Sequence, residues 1–111
     1  MAGGSLELEP EVAQWVESLS DEDFARVMFY LDLLEDQGVL LDHSYTSQLR
    51  GKLRELRFHP GASRRQRISY YVASGRRIVL LTVFVKSQRQ ERAEIERAWR
   101  AMQRWVEEEH T

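Results

Sequence analysis

The sequence predicts an α+β domain in which helices pack on one face of a small antiparallel sheet, with the elements in the order βααβββα. Apolar residues recur at helical spacing in both terminal parts of the chain. In the middle part their period changes to two, which is typical of strands, and turn residues divide this part into three segments. The 111 residues predict a single domain over 1–111, with frayed ends at 1–5 and 107–111.

Two helices are predicted in the first part of the chain, after a short leading strand with the sequence "SLEL". Pro10 suits the first turn of a helix of about ten residues, because that position needs no N–H donor. Ser20 is a predicted N-cap of a second helix, whose first turn carries the acidic sequence "DED" that the helix dipole favours. Gly38 is expected to end this second helix.

Three strands and a last helix are predicted after a polar connection, "LDHSYTSQLRG". The strands cover residues 52–58, 66–73 and 76–86, and the turn sequences "HPGAS" and "ASG" join them into an antiparallel meander. The third strand is continuously apolar, as expected of a central strand. The closing segment "QERAEIERAWRAMQRWVEEE" predicts a helix with one apolar face.

Charge is segregated along the chain, although the net charge is only −2. Residues 1–48 hold eleven acidic side chains and one basic one, whereas residues 49–111 hold fifteen basic and seven acidic ones. Between residues 49 and 89 the only acidic residue is Glu55. Such an imbalance favours a polyanionic partner, although the two halves could also neutralise each other within the fold.

The composition excludes several classes of protein. Because the chain has no cysteine, it can form neither a disulfide framework nor a zinc site with Cys ligands. The three histidines are widely spaced, so we expect no metal and no other cofactor. No apolar stretch is long enough to span a membrane, and the N-terminal sequence does not resemble a signal peptide. We therefore expect a cytoplasmic protein without a membrane partner.

Strand parity predicts that the basic residues of the meander share one face. Apolar side chains at alternate strand positions would face the helices, and the side chains between them would lie on the other, open face. The residues predicted on the open face are Glu55, Arg57, Arg67, Ser69, Tyr71, Thr82, Phe84 and Lys86. Phosphates require positive charge, and unstacked bases stack on aromatic or arginine planes. The sequence therefore predicts a surface that binds nucleic acid.

Four segments, "KLRELRF", "RISYYV", "GRRIVLLTVFVKSQ" and "AEIERA", follow two acidic helices in this order. Together they resemble the RelE/HigB superfamily of toxins from type II toxin–antitoxin systems, specifically its phage-derived HigB-like branch, over residues 9–105. The resemblance implies a RelE-like fold and a ribosome-dependent endoribonuclease that cuts mRNA in the ribosomal A site without a metal. It also implies a cognate helix-turn-helix antitoxin.

The resemblance implies catalytic roles for Arg57, Arg67 and Lys86. Two arginines would hold phosphate oxygens and stabilise the phosphorane, while proton transfer would fall to Tyr71, Glu55 or Lys86. Further RNA contacts are expected from Lys52, Arg54, Arg64, Arg65, Phe84 and Arg89. The family often has a longer basic segment after the third meander strand; here it is the shorter "KSQRQER", with Arg89 as the substitute. His59, in a turn beside Pro60, is expected to be structural or exposed.

Two other functions stay open at this point. A sibling branch of the same superfold, the ParE type, poisons DNA gyrase, and a shared fold does not decide between the two activities. A gyrase poison does not need the cations of the open face in a catalytic geometry. The third function is a non-catalytic RNA-binding module, which would bind RNA with the same surface and leave it intact.

Overall fold

The fold is a mixed sheet with helices on both of its faces. The structure, a computed structural model, describes residues 3–58 and 65–109. Its elements are, in chain order, β1 (Ser5–Leu8), α1 (Pro10–Glu17), α2 (Asp21–Gln37), β2 (Thr46–Arg50), β3 (Leu53–Arg57), β4 (Gln66–Val72), β5 (Arg77–Val85) and α3 (Glu91–Glu109), with short 3₁₀ turns at Gly38–Leu40 and Ser74–Arg76.

The strand order β1-β5-β4-β3-β2 makes β5, β4 and β3 the central strands. Strand β1 runs parallel to β5, so that Ser5 pairs with Arg77, and the other neighbouring strands are antiparallel. The predicted α+β class and the meander of β3, β4 and β5 are confirmed. Because β1 and β5 are parallel, the sheet is mixed and not purely antiparallel as predicted.

Helices α1 and α2 cover the first face of the sheet. Leu56, Ile68 and Leu80 are fully buried there against Val12 and Leu34 of the two helices. The predicted helix boundaries hold because their local signals act as expected. The Ser20 hydroxyl accepts a hydrogen bond of 3.2 Å from the Asp23 N–H, and Gly38 ends α2 with a φ of 54° that favours glycine.

Helix α3 packs on the second face, so the prediction that the helices share one face is wrong. Its Ala98, Met102 and Trp105 are buried against Leu53 and Leu81. The apolar run of β5 explains this position, because alternate side chains of the strand supply a core on each face. An amphipathic helix pattern shows that one side of α3 is buried, but it does not show against which face of the sheet.

Arg50 of β2 and Arg77 of β5 contact opposite ends of α3. Arg50 stacks over Trp99 at 5.3 Å and forms an ion pair of 2.6 Å with Glu96. At the other end of the helix, Arg77 stacks over Trp105 at 4.9 Å. Arg77 also pairs with Glu7 of β1 and Glu109 of α3, each at 2.6 Å. It therefore connects the first strand and the last helix.

Strand β2 was not among the predicted elements, because it lies in the segment interpreted as a polar connection. Its sequence, "TSQLR", has one apolar residue, so it does not show the alternation of apolar and polar residues that predicts a strand. A tight turn at Gly51, whose φ is 53°, instead brings β2 back along β3.

Parts of the two ends predicted to be frayed lie in secondary structure. Ser5 lies in β1, and the Gly4 N–H before it donates to the Glu35 carbonyl oxygen at 2.9 Å. Residues 107–109 belong to α3. None of the described helices has the length and apolar character needed to cross a membrane.

Candidate functional site

The candidate site lies on the second face, beside the part that α3 covers. Two rows of side chains cross the strands there. The first, which we call the polar row, consists of Ser47, Glu55, Ser69 and Thr82. The second, which we call the arginine row, consists of Arg57, Arg67 and Phe84. The strand register thus brings together, on one face, most of the side chains that strand parity predicts there.

Glu55 is a buried carboxylate in the middle of the polar row, with only 3% of the residue exposed. The Ser47 hydroxyl donates a hydrogen bond of 2.7 Å to Glu55 Oε2. The other oxygen, Oε1, accepts no hydrogen bond from the described residues. Arg67 Nε lies 3.9 Å from Oε1, which makes an ion pair but is too long for a hydrogen bond. The carboxylate therefore has a nearby positive charge and an oxygen that can still accept a hydrogen bond.

Arg67 is held close to the sheet, with 13% of its side chain exposed. Its Nη1 donates to the Gln66 carbonyl oxygen at 3.0 Å. Burial lowers the pKa of Arg67, Glu55 partly counteracts this, and the charge of Arg57 lowers the pKa further. Because an arginine stays protonated near neutral pH, the site keeps a partly desolvated cation. Such a cation interacts more strongly with an anion than one in bulk water does.

Arg57 is fixed by the backbone that leads into β2. Its Nη2 donates to the carbonyl oxygens of His43 and Thr46. Its buried Nε has no hydrogen-bond partner among the described residues. Leaving a buried donor or acceptor without a partner costs about 1–3 kcal/mol. Arg57 Nε and Glu55 Oε1 are thus a buried donor and a buried acceptor, each without a hydrogen-bond partner among the described residues.

The rest of the two rows forms a buried floor. The hydroxyls of Ser69 and Thr82 are 2.5 Å apart, and Ser69 Oγ also accepts from the Thr82 N–H at 3.0 Å. Phe84 is 5% exposed. The prediction that Phe84 stacks on an RNA base is therefore wrong for this arrangement, because its ring is covered by protein.

Lys86 follows β5 at the same end of the sheet as the arginine row. Its Nζ lies 2.5 Å from Glu91 Oε1, at the start of α3. The backbone N–H of Lys86 donates to the Arg65 carbonyl oxygen at 2.8 Å, so these two exposed basic residues lie next to each other in space. Arg89 is exposed in the turn before α3. These three side chains extend the positive charge beyond the arginine row.

Three of the predicted site residues lie elsewhere, so the prediction of one continuous surface is wrong for them. Tyr71 packs edge-on against Trp105 at 5.8 Å, and its position along β4 is about 13 Å from Arg67 at ~3.3 Å per residue. Lys52 lies beside the same tryptophan. Arg54 belongs to the first face, because it alternates with Glu55 along β3. Arg64 and His59 lie outside the described residues.

Ser47 is the site residue that sequence reasoning missed. It lies in β2, and only the pairing of β2 with β3 places it opposite Glu55. A strand assignment for "TSQLR" would have been the signal. Within residues 3–58 and 65–109, no three His, Cys, Asp or Glu side chains are grouped as a metal site would require.

Comparison with known proteins gives a family for most of the chain. The model of the family described as phage-derived protein Gp49-like (DUF891) matches residues 14–103. No curated protein matches the sequence.

Several solved toxin structures have a similar fold. The archaeal RelE–RelB complex from Pyrococcus horikoshii OT3 aligns with a TM-score of 0.59 and 20% identity, over 79% of this chain and 99% of that chain. A mutant of the Escherichia coli toxin RelE in the free state gives 0.60 and 14%, over 92% and 97%. The RelBE2 complex from Mycobacterium tuberculosis gives 0.55 and 16%, over 76% and 99%. The chain belongs to the phage-derived Gp49-like family, and its fold is that of the RelE toxins.

Proposed function

We propose that the chain is the toxin of a type II toxin–antitoxin system and that it cleaves mRNA in the ribosomal A site, in the cytoplasm. The observation that carries the proposal is the buried Glu55 carboxylate, with one unfilled oxygen, beside two arginines on one sheet face. The family and the fold support the toxin class. The cations of the arginine row and of Lys86 support a phosphate-containing substrate.

The proposed reaction uses the 2′-hydroxyl next to the scissile phosphate as the nucleophile. Glu55 Oε1 takes the proton of this hydroxyl as the 2′-oxygen bonds to phosphorus. The bond from phosphorus to the 5′-oxygen breaks, and this oxygen takes a proton from Lys86 or from water. Arg57 and Arg67 hold the non-bridging oxygens, whose negative charge grows in the transition state. The products are a 2′,3′-cyclic phosphate and a free 5′-hydroxyl.

In the free toxin Arg67 is paired with the proposed base. Its contact with Glu55 is an ion pair of 3.9 Å without a hydrogen bond, whereas a phosphate offers the guanidinium two parallel charge-assisted hydrogen bonds. We propose that the substrate draws Arg67 away from Glu55 and thereby exposes Oε1 to the 2′-hydroxyl. Lys86 would likewise exchange Glu91 for the substrate.

Expression of the chain without its antitoxin is expected to arrest growth through translation. Primer extension on cellular mRNA should show breaks within translated codons, and an adjacent helix-turn-helix gene should relieve the arrest. Intact mRNA together with trapped gyrase–DNA breaks would favour the ParE-type activity and contradict the proposal. Binding of RNA to the purified protein without cleavage on ribosomes would favour the non-catalytic module.

Ser47→Ala is expected to slow mRNA cleavage about tenfold, because a hydrogen bond to a buried carboxylate contributes about 1–3 kcal/mol. Without the hydroxyl, Glu55 loses the hydrogen bond that holds Oε2 in place. This hydrogen bond is also what keeps Oε1 free to act in the wild type. Ser47→Thr should keep the hydrogen bond and most of the rate. Single-turnover cleavage on ribosomes over a range of pH measures both variants, and Ser74→Ala in the exposed 3₁₀ turn is the control. A Ser47→Ala rate equal to wild type at every pH would remove Ser47 from the proposed site.

A further inference from the structure

A second polar site lies on the first face of the sheet, opposite the arginine row. It is an open cleft of about 550 Å³ between the sheet and the chain segment that leads from α2 to β2. The cleft is separate from the proposed catalytic site because its strand residues, Thr46, Arg54 and Tyr70, alternate with those of the polar row.

Arg54 is the cation of this cleft, and it has no carboxylate partner among the described residues. Its Nη2 donates to Thr46 Oγ1 at 3.1 Å and its Nε to the Tyr70 hydroxyl at 3.4 Å. Both partners are buried, with 1% and 2% of the residue exposed. Two buried, uncharged groups therefore orient the guanidinium, which forms no ion pair with a described carboxylate. Arg50 and Arg77, by contrast, each pair with a glutamate.

One lip of the cleft is apolar and exposed to an unusual degree. Val39 and Leu40, in the 3₁₀ turn after α2, are 71% and 72% exposed. They are the most exposed large apolar side chains of the described residues. A small carboxylate bound to Arg54 would leave this lip uncovered, whereas a peptide segment that carries the carboxylate could cover it with its neighbouring side chains.

The acidic groups around the cleft discriminate against RNA. Asp42 lines the cleft, and its pKa is lowered by hydrogen bonds from Ser44, so that it is ionised at neutral pH. Glu35 and Asp36 are exposed at the end of α2, next to the same turn. A phosphate backbone would be repelled at several points along these residues, whereas one carboxylate at Arg54 with a basic residue beside Asp42 would be complementary to them.

We propose that this cleft is a docking site for a segment of the antitoxin. An Asp or Glu of the segment binds Arg54, aliphatic neighbours cover Val39 and Leu40, and a Lys or Arg lies next to Asp42. The inference rests on the proposed toxin–antitoxin function. It gives the antitoxin a contact on the face opposite the arginine row, so binding at this cleft does not require that the catalytic side chains be covered.

The test uses the full chain and the purified product of the adjacent helix-turn-helix reading frame, with affinities measured by calorimetry at two salt concentrations. Arg54→Gln is expected to raise Kd on the order of 10- to 100-fold and to reduce its salt dependence. Arg54→Lys should recover part of the affinity, and Leu40→Ser should weaken binding about threefold to tenfold. Arg100→Gln on the exposed side of α3 is the matched control and should bind like wild type. Melting temperatures show whether each variant is folded.

Values of Kd within twofold of wild type for both Arg54→Gln and Leu40→Ser would overturn the docking site, as would the absence of any binding by the wild type. Ribosomal mRNA cleavage by the wild type is measured separately. If the wild type fails to cleave but Arg54→Gln still loses affinity, the docking site stands and the proposed activity falls. If the wild type cleaves and the two variants bind normally, the docking site falls and the activity stands.

Discussion

Arg67→Ala should slow ribosomal mRNA cleavage on the order of 100- to 1000-fold, because the transition state loses a positioned cation in a partly desolvated site. Toxicity on expression should disappear with it. Arg67→Lys should recover only part of the rate, since a point charge cannot form two parallel hydrogen bonds to a phosphate. The measurement is single-turnover cleavage of mRNA bound in the A site.

The position of Arg67 beside a buried carboxylate also predicts a loss of stability in the alanine variant. The substitution removes the counter-ion of a carboxylate that is only 3% exposed, and breaking such a buried pair is unfavourable. The melting temperature of Arg67→Ala should therefore fall, whereas that of Arg67→Lys should stay near the wild-type value. The rate of the lysine variant can therefore be compared with the wild-type rate without a difference in stability. Arg100→Ala on the exposed side of α3 should change neither quantity. A wild-type rate for Arg67→Ala would exclude the arginine row as the catalytic surface.

Glu55→Gln should slow cleavage on the order of 100- to 10,000-fold, the range observed when a general base is removed. Glutamine has nearly the same shape and can keep the hydrogen bond with Ser47, so the sheet should fold normally. The measurement is the cleavage rate as a function of pH. The wild type should lose activity as the pH falls, because the proposed base becomes protonated, and this acid-side loss should be absent from the residual rate of Glu55→Gln.

The pH profile separates two roles that a single rate does not. If Glu55→Gln is slow but keeps the acid-side loss of the wild type, Glu55 positions Arg67 and another group takes the proton. Glu107→Gln, on an exposed part of α3, is the control and should leave both rate and profile unchanged. A Glu55→Gln variant as active as wild type would contradict both roles and with them the proposed site.

Elements with strong local signals could be predicted from the sequence. The N-cap at Ser20, the proline in the first turn of α1 and the glycine at the end of α2 all act through neighbouring residues, so they can be read without the fold. The meander follows from the alternation of apolar residues. The shared face of Arg57 and Arg67 follows from the same alternation.

Features that depend on long-range contacts could not be predicted. Strand β2 is stabilised by its hydrogen bonds to β3 and by ion pairing of Arg50 with Glu96, and neither leaves an apolar pattern. For this reason Ser47 was missed. Tyr71 packs against Trp105 of α3, so the surroundings of its ring depend on where α3 lies, and the pattern of a helix does not contain that information.

The parallel pairing of β1 with β5 affects the order in which the chain can complete its fold. Ser5 finds its partner Arg77 only after most of the chain has been synthesised, and closing a loop of this length costs conformational entropy before the contacts are gained. The central strand β5 is thus synthesised after the edge strand β1 that it must hold. Incomplete chains that end before Arg77 lack β5, which is the neighbour of both β1 and β4. They therefore also lack Thr82 and Lys86. A ribosome that stalls before this point releases a fragment that lacks part of the RNA-cleaving surface proposed for this protein.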